Sequence, residues 1–174
     1  MAGQLIQVNT ATVTVATPSV TLTGIDSDDV YMVTVANAQP QNDNQLFIGR
    51  VTKDVAGTPT PQTTANYDEA KKFLDSTTTF GNQANTNTTY WTNHLAIGNA
   101  TSESANGIYY LYNFNSSSEY SFITVEASDI AFTGFIVGYQ GGGVYTVAES
   151  HNGLTMLFGT GNIASGTFTL YKVV

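Results

Sequence analysis

The chain is divided into short apolar or alternating runs, and this pattern constrains its fold more than any other feature. Each run is bounded by Gly, Asn, Asp, Ser or Pro, the residues that favour turns. Short runs with this spacing are typical of the strands of a sandwich or a barrel. We find eleven such runs and predict about ten strands, since we expect two of the runs to merge or fail. The runs lie at 5–8, 11–16, 20–25, 30–37, 46–52, 108–114, 120–126, 130–139, 144–148, 155–158 and 167–173.

The polar residues of the chain favour the same fold class. Only 10% of the residues are charged, against about 25% in an ordinary globular domain. Thr, Asn, Ser and Gly supply the polarity instead, and they suit pleated strands and turns better than helices. With 174 residues, we expect one all-β domain over 1–174, a single antiparallel two-sheet sandwich.

The charge balance argues against several classes of partner. The net charge is −8 with only five Lys and Arg, whereas nucleic acids and anionic membranes are bound largely by basic side chains. No apolar run reaches the roughly 20 residues of a spanning helix. Residues 1–4 lack the basic start and apolar run of a secretory signal, so we expect no Sec-type export. Cysteine is absent, which excludes disulfides and thiolate metal sites.

Three local patterns give more detailed expectations. Asn152-Gly153 predicts a hairpin between 144–148 and 154–158, because both residues tolerate positive φ. The Asx-rich segment 26–29 predicts a similar turn between 20–25 and 30–37. Only 67–74 is typical of a helix, since Asn66 could cap it, its acids come early and its lysines come late.

Two segments stand apart from the predicted sandwich. Residues 54–104 are rich in Thr, Asn and Pro, and we interpret them as a long polar loop region that carries at most one or two strands. Residues 1–10 form either an attachment arm or an edge strand that docks onto another protein. Loops of this length often carry function, so the first segment is the place to look for contact residues.

The candidate contact residues are aromatic. Tyr90, Trp91 and His94 lie in the polar segment, and Trp91 is the best candidate for an exposed contact aromatic. Tyr110, Tyr112 and Phe114 fall on one face of a strand, where core packing is the expected role. A sugar-binding platform is the alternative, because an aromatic ring offers an apolar face and Tyr adds a hydroxyl.

No catalytic or metal constellation emerges from the titratable residues. His94 and His151 have no partner at metal-ligand spacing, and we expect His151 to be an exposed hairpin residue. Asp26, Asp28 and Asp29 fail the EF-hand rule and are interpreted as a turn, with low-affinity calcium binding at the surface as the alternative. We therefore expect no catalytic residue, no metal and no cofactor.

The remaining candidates have simpler explanations. Glu119, Glu126 and Glu149 adjoin strands, but no pair of them is marked as the facing carboxylates of a glycosidase. A phosphate cradle at 141–143 would need a helix after it, and a strand follows instead. Three glycines predict a tight turn or a close approach to a neighbouring subunit.

The C-terminal segment carries a resemblance to a known family. Gly161-Asn162-Ile163-Ala164-Ser165-Gly166, followed by a strand ending in Phe168-Thr169-Leu170-Tyr171, resembles the ending of jelly-roll virion proteins of marine tailed bacteriophages. Segments 20–25 with 30–35, 64–68 and 109–115 are similar to other parts of that family, the first pair to its opening hairpin.

This resemblance implies a two-sheet sandwich displayed on a virion and made in the cytoplasm of the host bacterium, which would be a cyanobacterium or another marine bacterium. We expect a non-enzymatic capsid decoration or cement protein, whose sheet edges or N-terminal segment contact the major capsid protein or another virion protein. A homo-oligomer is also expected. The alternative is a tail or head fibre module that recognises host surface carbohydrate through the Trp91 region, and a glycan-degrading enzyme is a more remote third possibility.

Overall fold

The chain folds into strands throughout the part that the structure describes, residues 3–174 of a computed structural model. That part contains no helix, and therefore none that could cross a membrane. The all-β prediction is confirmed. The strands are β1 (Leu5–Val13), β2 (Val20–Thr23), β3 (Tyr31–Pro40), β4 (Gln45–Val55), β5 (Thr58–Pro61), β6 (Tyr67–Asp75), β7 (Phe80–Thr88), β8 (Trp91–Ile97), β9 (Ala105–Tyr112), β10 (Ser121–Ile130), β11 (Ile136–Tyr145), β12 (Gly153–Phe158) and β13 (Ile163–Val173).

The strands form two antiparallel sheets packed as a sandwich. The large sheet has the order β1-β13-β3-β9-β10-β11-β6-β7. The small sheet has the order β2-β12-β4, and the far side of β4 pairs with β8 along one part and with β5 along another. The predicted antiparallel two-sheet architecture is confirmed.

Eight of these strands have the strand order of a jelly roll. In chain order these strands are β1, β2, β3, β4, β8, β9, β12 and β13. The chain changes sheet at every step except from β4 to β8, so that β1-β13-β3-β9 face β2-β12-β4-β8. The other strands come from two insertions: β5 to β7 precede β8, and β10 with β11 follow β9. Four inserted strands, β10, β11, β6 and β7, continue the large sheet beyond β9, and we call them the extension.

The sequence 67–75 forms strand β6, so the helix prediction for 67–74 is wrong. Tyr67, Glu69 and Lys71 point inward and are buried, while Ala70 and Lys72 are exposed, which is the period of a strand. β6 is paired on both sides, by β11 and by β7. Tertiary pairing therefore overrides the helical preference of the charged residues.

The prediction of a long polar loop over 54–104 is also wrong. That segment contains four strands, β5, β6, β7 and β8, where we expected at most one or two from the sequence. Its Thr and Asn residues alternate along β7, where one side of the strand bonds to β6. Low hydrophobicity concealed a strand whose inward side chains are amides.

Both predicted hairpins are wrong, because their strands belong to different sheets. β2 lies in the small sheet and β3 in the large one, so 24–30 crosses the end of the sandwich. β11 and β12 are separated in the same way, and Gly153 is the first residue of β12 rather than a turn residue. Turn-forming residues here mark a change of sheet, which the local sequence does not distinguish from a hairpin.

Two smaller expectations are corrected as well. Glycines 141–143 lie within β11 rather than in a turn, paired with β10 and β6. Residues from Leu5 onward form the edge strand β1, so of the two alternatives for 1–10 the arm is wrong for that part. Residues 1 and 2 lie outside the described residues.

Candidate functional site

Trp91 belongs to the core, so the prediction that it is an exposed contact aromatic is wrong. Its side chain is 1% exposed and packs edge-on against Tyr67, with ring centroids 5.0 Å apart. The indole nitrogen donates to the Val144 carbonyl at 3.3 Å. Gly143 makes this position possible, since a Cβ there would lie 2.5 Å from the indole ring.

The other two candidate contact residues lie in different surroundings. Tyr90 is half-buried, and the Arg50 guanidinium lies 5.9 Å from its ring centroid. His94 is fully buried on β8, so it is not available to a ligand at the surface. The structure therefore does not bring Tyr90, Trp91 and His94 together as one accessible surface.

His94 is held in a buried hydrogen-bonded chain. Its Nδ1 lies 2.9 Å from Asp129 Oδ2, and its Nε2 lies 2.8 Å from the Tyr109 hydroxyl. Burial lowers the pKa of His94, although its bond to Asp129 acts in the opposite direction. Burial and the charge of Asp129 raise the pKa of Tyr109. With no access from solvent, this chain fixes β8 against β9 and β10 and cannot serve as an acid-base centre.

His151 is buried too, so its prediction as an exposed hairpin residue is wrong. Its backbone N–H donates to the Phe114 carbonyl at 2.6 Å, which draws the crossing segment 146–152 inward. Ser121 Oγ lies 2.9 Å from its Nδ1, and Glu149 Oε1 lies 3.4 Å from its Nε2. Burial is the main cause that lowers the pKa of His151.

Ser121, His151 and Glu149 resemble a catalytic triad in residue type only. Ser121 is fully buried on the inward face of β10, where no substrate could reach its hydroxyl. A nucleophile must lie beside a space for the reacting group and its oxyanion donors. The trio instead joins β10 to the crossing segment, and Lys53 neutralises Glu149 from the surface at 2.6 Å.

Glu69 and Lys71 form a buried ion pair inside the extension. Lys71 Nζ donates to Glu69 Oε2 at 2.9 Å, and both side chains are almost fully buried. Glu69 also accepts from Gln83, from Asn85 and from the backbone N–H of Thr92, at 2.7 to 3.0 Å. These bonds join β6, β7 and β8, so the pair has a structural role and is closed to ligands.

The acidic turn is held by a lysine. Lys172 Nζ lies 2.8 Å from Asp29 and 3.7 Å from Asp26, and the Tyr31 hydroxyl donates to Asp26 at 2.8 Å. The bond from Tyr31 is the main cause that lowers the pKa of Asp26. An ammonium group thus occupies the place where a cation would bind. Across 3–174, no group of three or more His, Asp and Glu could hold a metal ion.

The accessible features lie on the outer face of the extension. A row of small residues crosses four strands there, with Ala84, Ala70, Gly142 and Thr124 in consecutive cross-strand register. Ala70, Gly142 and Thr124 of this row form the floor of an open trough of about 480 Å³. Its lining includes Asp68, Asn85, Thr86 and Phe122, and Phe122 is the cross-strand neighbour of Tyr112.

The aromatic stripe on β9 divides between core and surface. Tyr109 and Leu111 are buried, whereas Tyr110 and Tyr112 are half-buried on the outer face. The expectation of core packing is therefore wrong for Tyr110 and Tyr112. It is right for Phe114, which lies beyond the end of the strand and contacts Trp91.

A second accessible feature is the hairpin between β10 and β11. Phe132, Phe135 and Ile136 are 43%, 44% and 52% exposed, and we call these three residues the apolar tip. The turn is fixed by Gly134 at φ 82° and is tied to β8 by a bond from Phe132 N–H to the Ala96 carbonyl at 2.9 Å. The prediction of one strand over 130–139 is wrong, because β10 ends at Ile130 and β11 begins at Ile136. The interruption at Thr133-Gly134 was the signal for this turn.

No protein-family model matches the chain, and no curated protein matches it. The candidate site therefore rests on the geometry of the outer face and the apolar tip.

Proposed function

We propose that the chain is a non-enzymatic virion structural protein of a tailed bacteriophage, and that it works as a decoration or cement protein on the head shell. The class of protein comes from the motif at Gly161–Tyr171, whose residues form most of β13. β13 lies between β1 and β3 in the large sheet. The motif thus covers a strand that is paired on both sides in the large sheet.

The apolar tip is the observation that carries the proposal. Three large apolar side chains stand exposed on one hairpin, and 130–148 contains no charged residue. Exposed apolar clusters on a soluble surface mark contacts with another protein. A partner that binds only the folded chain stabilises both, so cementing needs contact area and no covalent chemistry.

The tip is built to present this surface without unfolding. Ala131 pairs with Ile97 of β8 as an isolated bridge, and Ala131 N–H donates to the Phe135 carbonyl at 2.9 Å. The aromatic side chains are therefore held on a fixed turn. A preorganised contact loses less conformational entropy on binding than a free loop.

The test uses particles of the phage that encodes the chain, with and without it. Particles that lack the chain should lose thermal stability, and the purified protein should restore it. Phe135→Ser should bind the particles at least tenfold more weakly. Phe122→Ser, at a similarly exposed position in the trough, should bind like the wild type. Equal stability of the two particles, or equal binding of the two variants, would contradict the proposal.

A second candidate function is carbohydrate recognition by a fibre module, and the trough favours it. Phe122 and Tyr112 provide apolar ring faces, and Asp68 and Thr124 provide polar groups in the lining of the trough. Sugars present both apolar faces and hydroxyls, so they match such a lining. The carbohydrate site expected at Trp91 is therefore replaced by one on this outer face, because Trp91 is buried.

Titration of host surface polysaccharide into the purified protein tests the second candidate. Binding that is lost in Phe122→Ala and kept in Phe135→Ala would support carbohydrate recognition. Absence of heat or fluorescence change with every polysaccharide fraction of the host would count against it.

A further inference from the structure

Strand β7 is an unprotected edge of the large sheet. It contains no Pro and no charged residue, and it lies within 76–102, the longest stretch of the sequence without Asp, Glu, Lys or Arg. Natural edge strands are usually shortened, bulged, covered, or marked with Lys or Pro, because unpaired backbone groups recruit another strand. β7 has one bulge, between Asn85 and Thr88, where Asn87 has a φ of 55°. Between Phe80 and Asn85 its pairing with β6 is regular, and none of these devices interrupts it.

The other edges of the sandwich are protected, and β8 among them is bonded through its Ala96 carbonyl to the hairpin between β10 and β11. β5 has only four residues and includes Pro59 and Pro61, and β2 is equally short. β1 has a bulge between Gln7 and Asn9, and the Asn9 amide donates across the sandwich to the Thr23 carbonyl at 3.2 Å. β7 is therefore the edge that is most open to pairing.

From Phe80 to Asn87, the side-chain hydrogen bonds of β7 lie on the side of β6. Gln83 and Asn85 donate to Glu69, and the N–H of Asn87 donates to Asp68 at 2.8 Å. These bonds hold the strand flat against its neighbour and leave its other margin free. The buried Glu69 thus presents β7 as a fixed template for a further strand.

We propose that β7 pairs antiparallel with β7 of a second copy of this chain, with the twofold axis at Ala84. In this register Gln83 faces Asn85 of the second copy, and Asn82 faces Thr86. Small residues meet at the axis and amide or hydroxyl groups meet on either side. Cross-strand pairs of this kind are favourable, and no like charges face each other.

A second copy fits this edge better than a different partner does. Two chains of net charge −8 repel each other, so a self-contact is favoured where acids are absent. An antiparallel strand is self-complementary about a twofold axis, and twofold dimers are the commonest oligomers. The pairing would also extend the floor of the trough, because Ala84, Ala70 and Gly142 share one row.

The contact area bounds the strength of this dimer. One edge strand buries less than the standard interface of about 1,600 Å² in total, which places the dimer among weak or transient complexes. We expect a dissociation constant on the order of micromolar for the free protein. The inference does not depend on the virion proposal, since it concerns the purified chain and does not use the apolar tip.

Engineered cysteines give the sharpest test, because the natural chain contains none. In Ala84→Cys the two thiols would face each other across the axis, so mild oxidation should produce a disulfide-linked dimer. Ala70→Cys is the matched control: it is exposed on the same row, one strand away from the edge. Ala84→Cys should cross-link at least tenfold faster at micromolar protein. Equal rates would overturn the proposal.

Sedimentation velocity supplies the second measurement. The wild type should shift from monomer to dimer as its concentration rises through the micromolar range. Ala84→Lys would place two ammonium groups at the axis and should remain monomeric, whereas Ala70→Lys should dimerise like the wild type. A wild type that stays monomeric at millimolar concentration, or a dimer that is insensitive to Ala84→Lys, would refute β7 pairing. Particle binding by Ala84→Lys reports on the virion proposal separately.

Discussion

The jelly-roll strands and the extension differ in the charged side chains that they bury: Glu69, Lys71 and Asp129 all belong to the extension. Between the jelly-roll sheets, Phe47 packs against Phe158 and Phe168, with ring centroids 5.1 and 6.3 Å apart. Beneath the extension, Glu69 and Lys71 are buried as an ion pair with a full set of hydrogen-bond partners around the carboxylate. The extension also buries apolar residues such as Tyr67, Ile123 and Val125, so its ion pair is added to apolar packing and does not replace it.

The difference teaches how an added set of strands keeps its register. An apolar core tolerates different arrangements of side chains of similar total volume. A one-residue slip of β6 would instead expose Glu69 and Lys71 and bury Ala70 and Lys72. The polar pair therefore specifies the register, and through it the positions of the trough and of the edge β7.

The largest expected effect comes from removing the acceptor of the extension. Glu69→Leu leaves the Lys71 ammonium and the donors of Gln83, Asn85 and Thr92 without their acceptor. We expect a loss of about 3–5 kcal/mol in the free energy of unfolding, as for other broken buried pairs. Lys71→Met should cost less, because the other three donors still satisfy Glu69. Urea unfolding measures both losses. Equal losses would contradict the view that Glu69, which accepts four hydrogen bonds, contributes more than Lys71, which donates one of them.

A smaller effect is expected from two glycines of the same strand. A Cβ at Gly143 would lie 2.5 Å from the Trp91 ring, whereas a Cβ at Gly138 would meet nothing closer than 4.0 Å. Gly143→Ala should therefore cost about 1–3 kcal/mol through overpacking. Gly138→Ala should be close to neutral. Thermal unfolding of the pair decides whether β11 is fitted to the core at Trp91.

The sequence predicts the jelly-roll strands better than the extension. Alternation and turn residues predicted the all-β class and most strands of the jelly-roll region. The reason is that core positions there, such as Val33, Leu111 and Leu170, are apolar residues in strands with an alternating sequence pattern. The extension was missed where the buried residues are Glu69, Lys71 and amides. Burial of charge depends on partners that are distant in sequence, and a local pattern does not reveal them.

The candidate site was missed for a related reason. Trp91 lies among Thr and Asn residues, which suggested an exposed loop, yet its burial depends on Gly143, far along the chain. Phe122 and Phe135 lie in apolar runs typical of core strands, yet both are exposed. Which face of a strand is covered follows from sheet order, and sheet order requires long-range pairing.

The free energy of unfolding should also depend on pH, because two histidines are buried. Burial lowers the pKa of His94 and of His151 in the folded chain, so each binds a proton more weakly there than in the unfolded chain. In the unfolded chain they take up protons near pH 6.5. Stability should therefore be complete above about pH 6.5 and should fall as the pH decreases below it, by at most about 1.4 kcal/mol per pH unit for each histidine. Urea titrations between pH 7.5 and 5 measure this slope, and a flat profile would contradict it.

The smallest effect is expected at the surface pair. Lys53 and Glu149 lie 2.6 Å apart but are about a third and a quarter exposed. Solvent screens such a pair, so Lys53→Met should change the free energy of unfolding by less than about 1 kcal/mol. A loss as large as that of Glu69→Leu would show that burial is not what separates the two ion pairs.

Hydrogen exchange on the particle-bound protein tests the central claim most directly, that the chain works through contacts made by its extension. The account predicts new protection of the β10–β11 hairpin on binding, with little change along β2 and β12. Protection confined to the jelly-roll strands, with the apolar tip still exchanging freely, would contradict it.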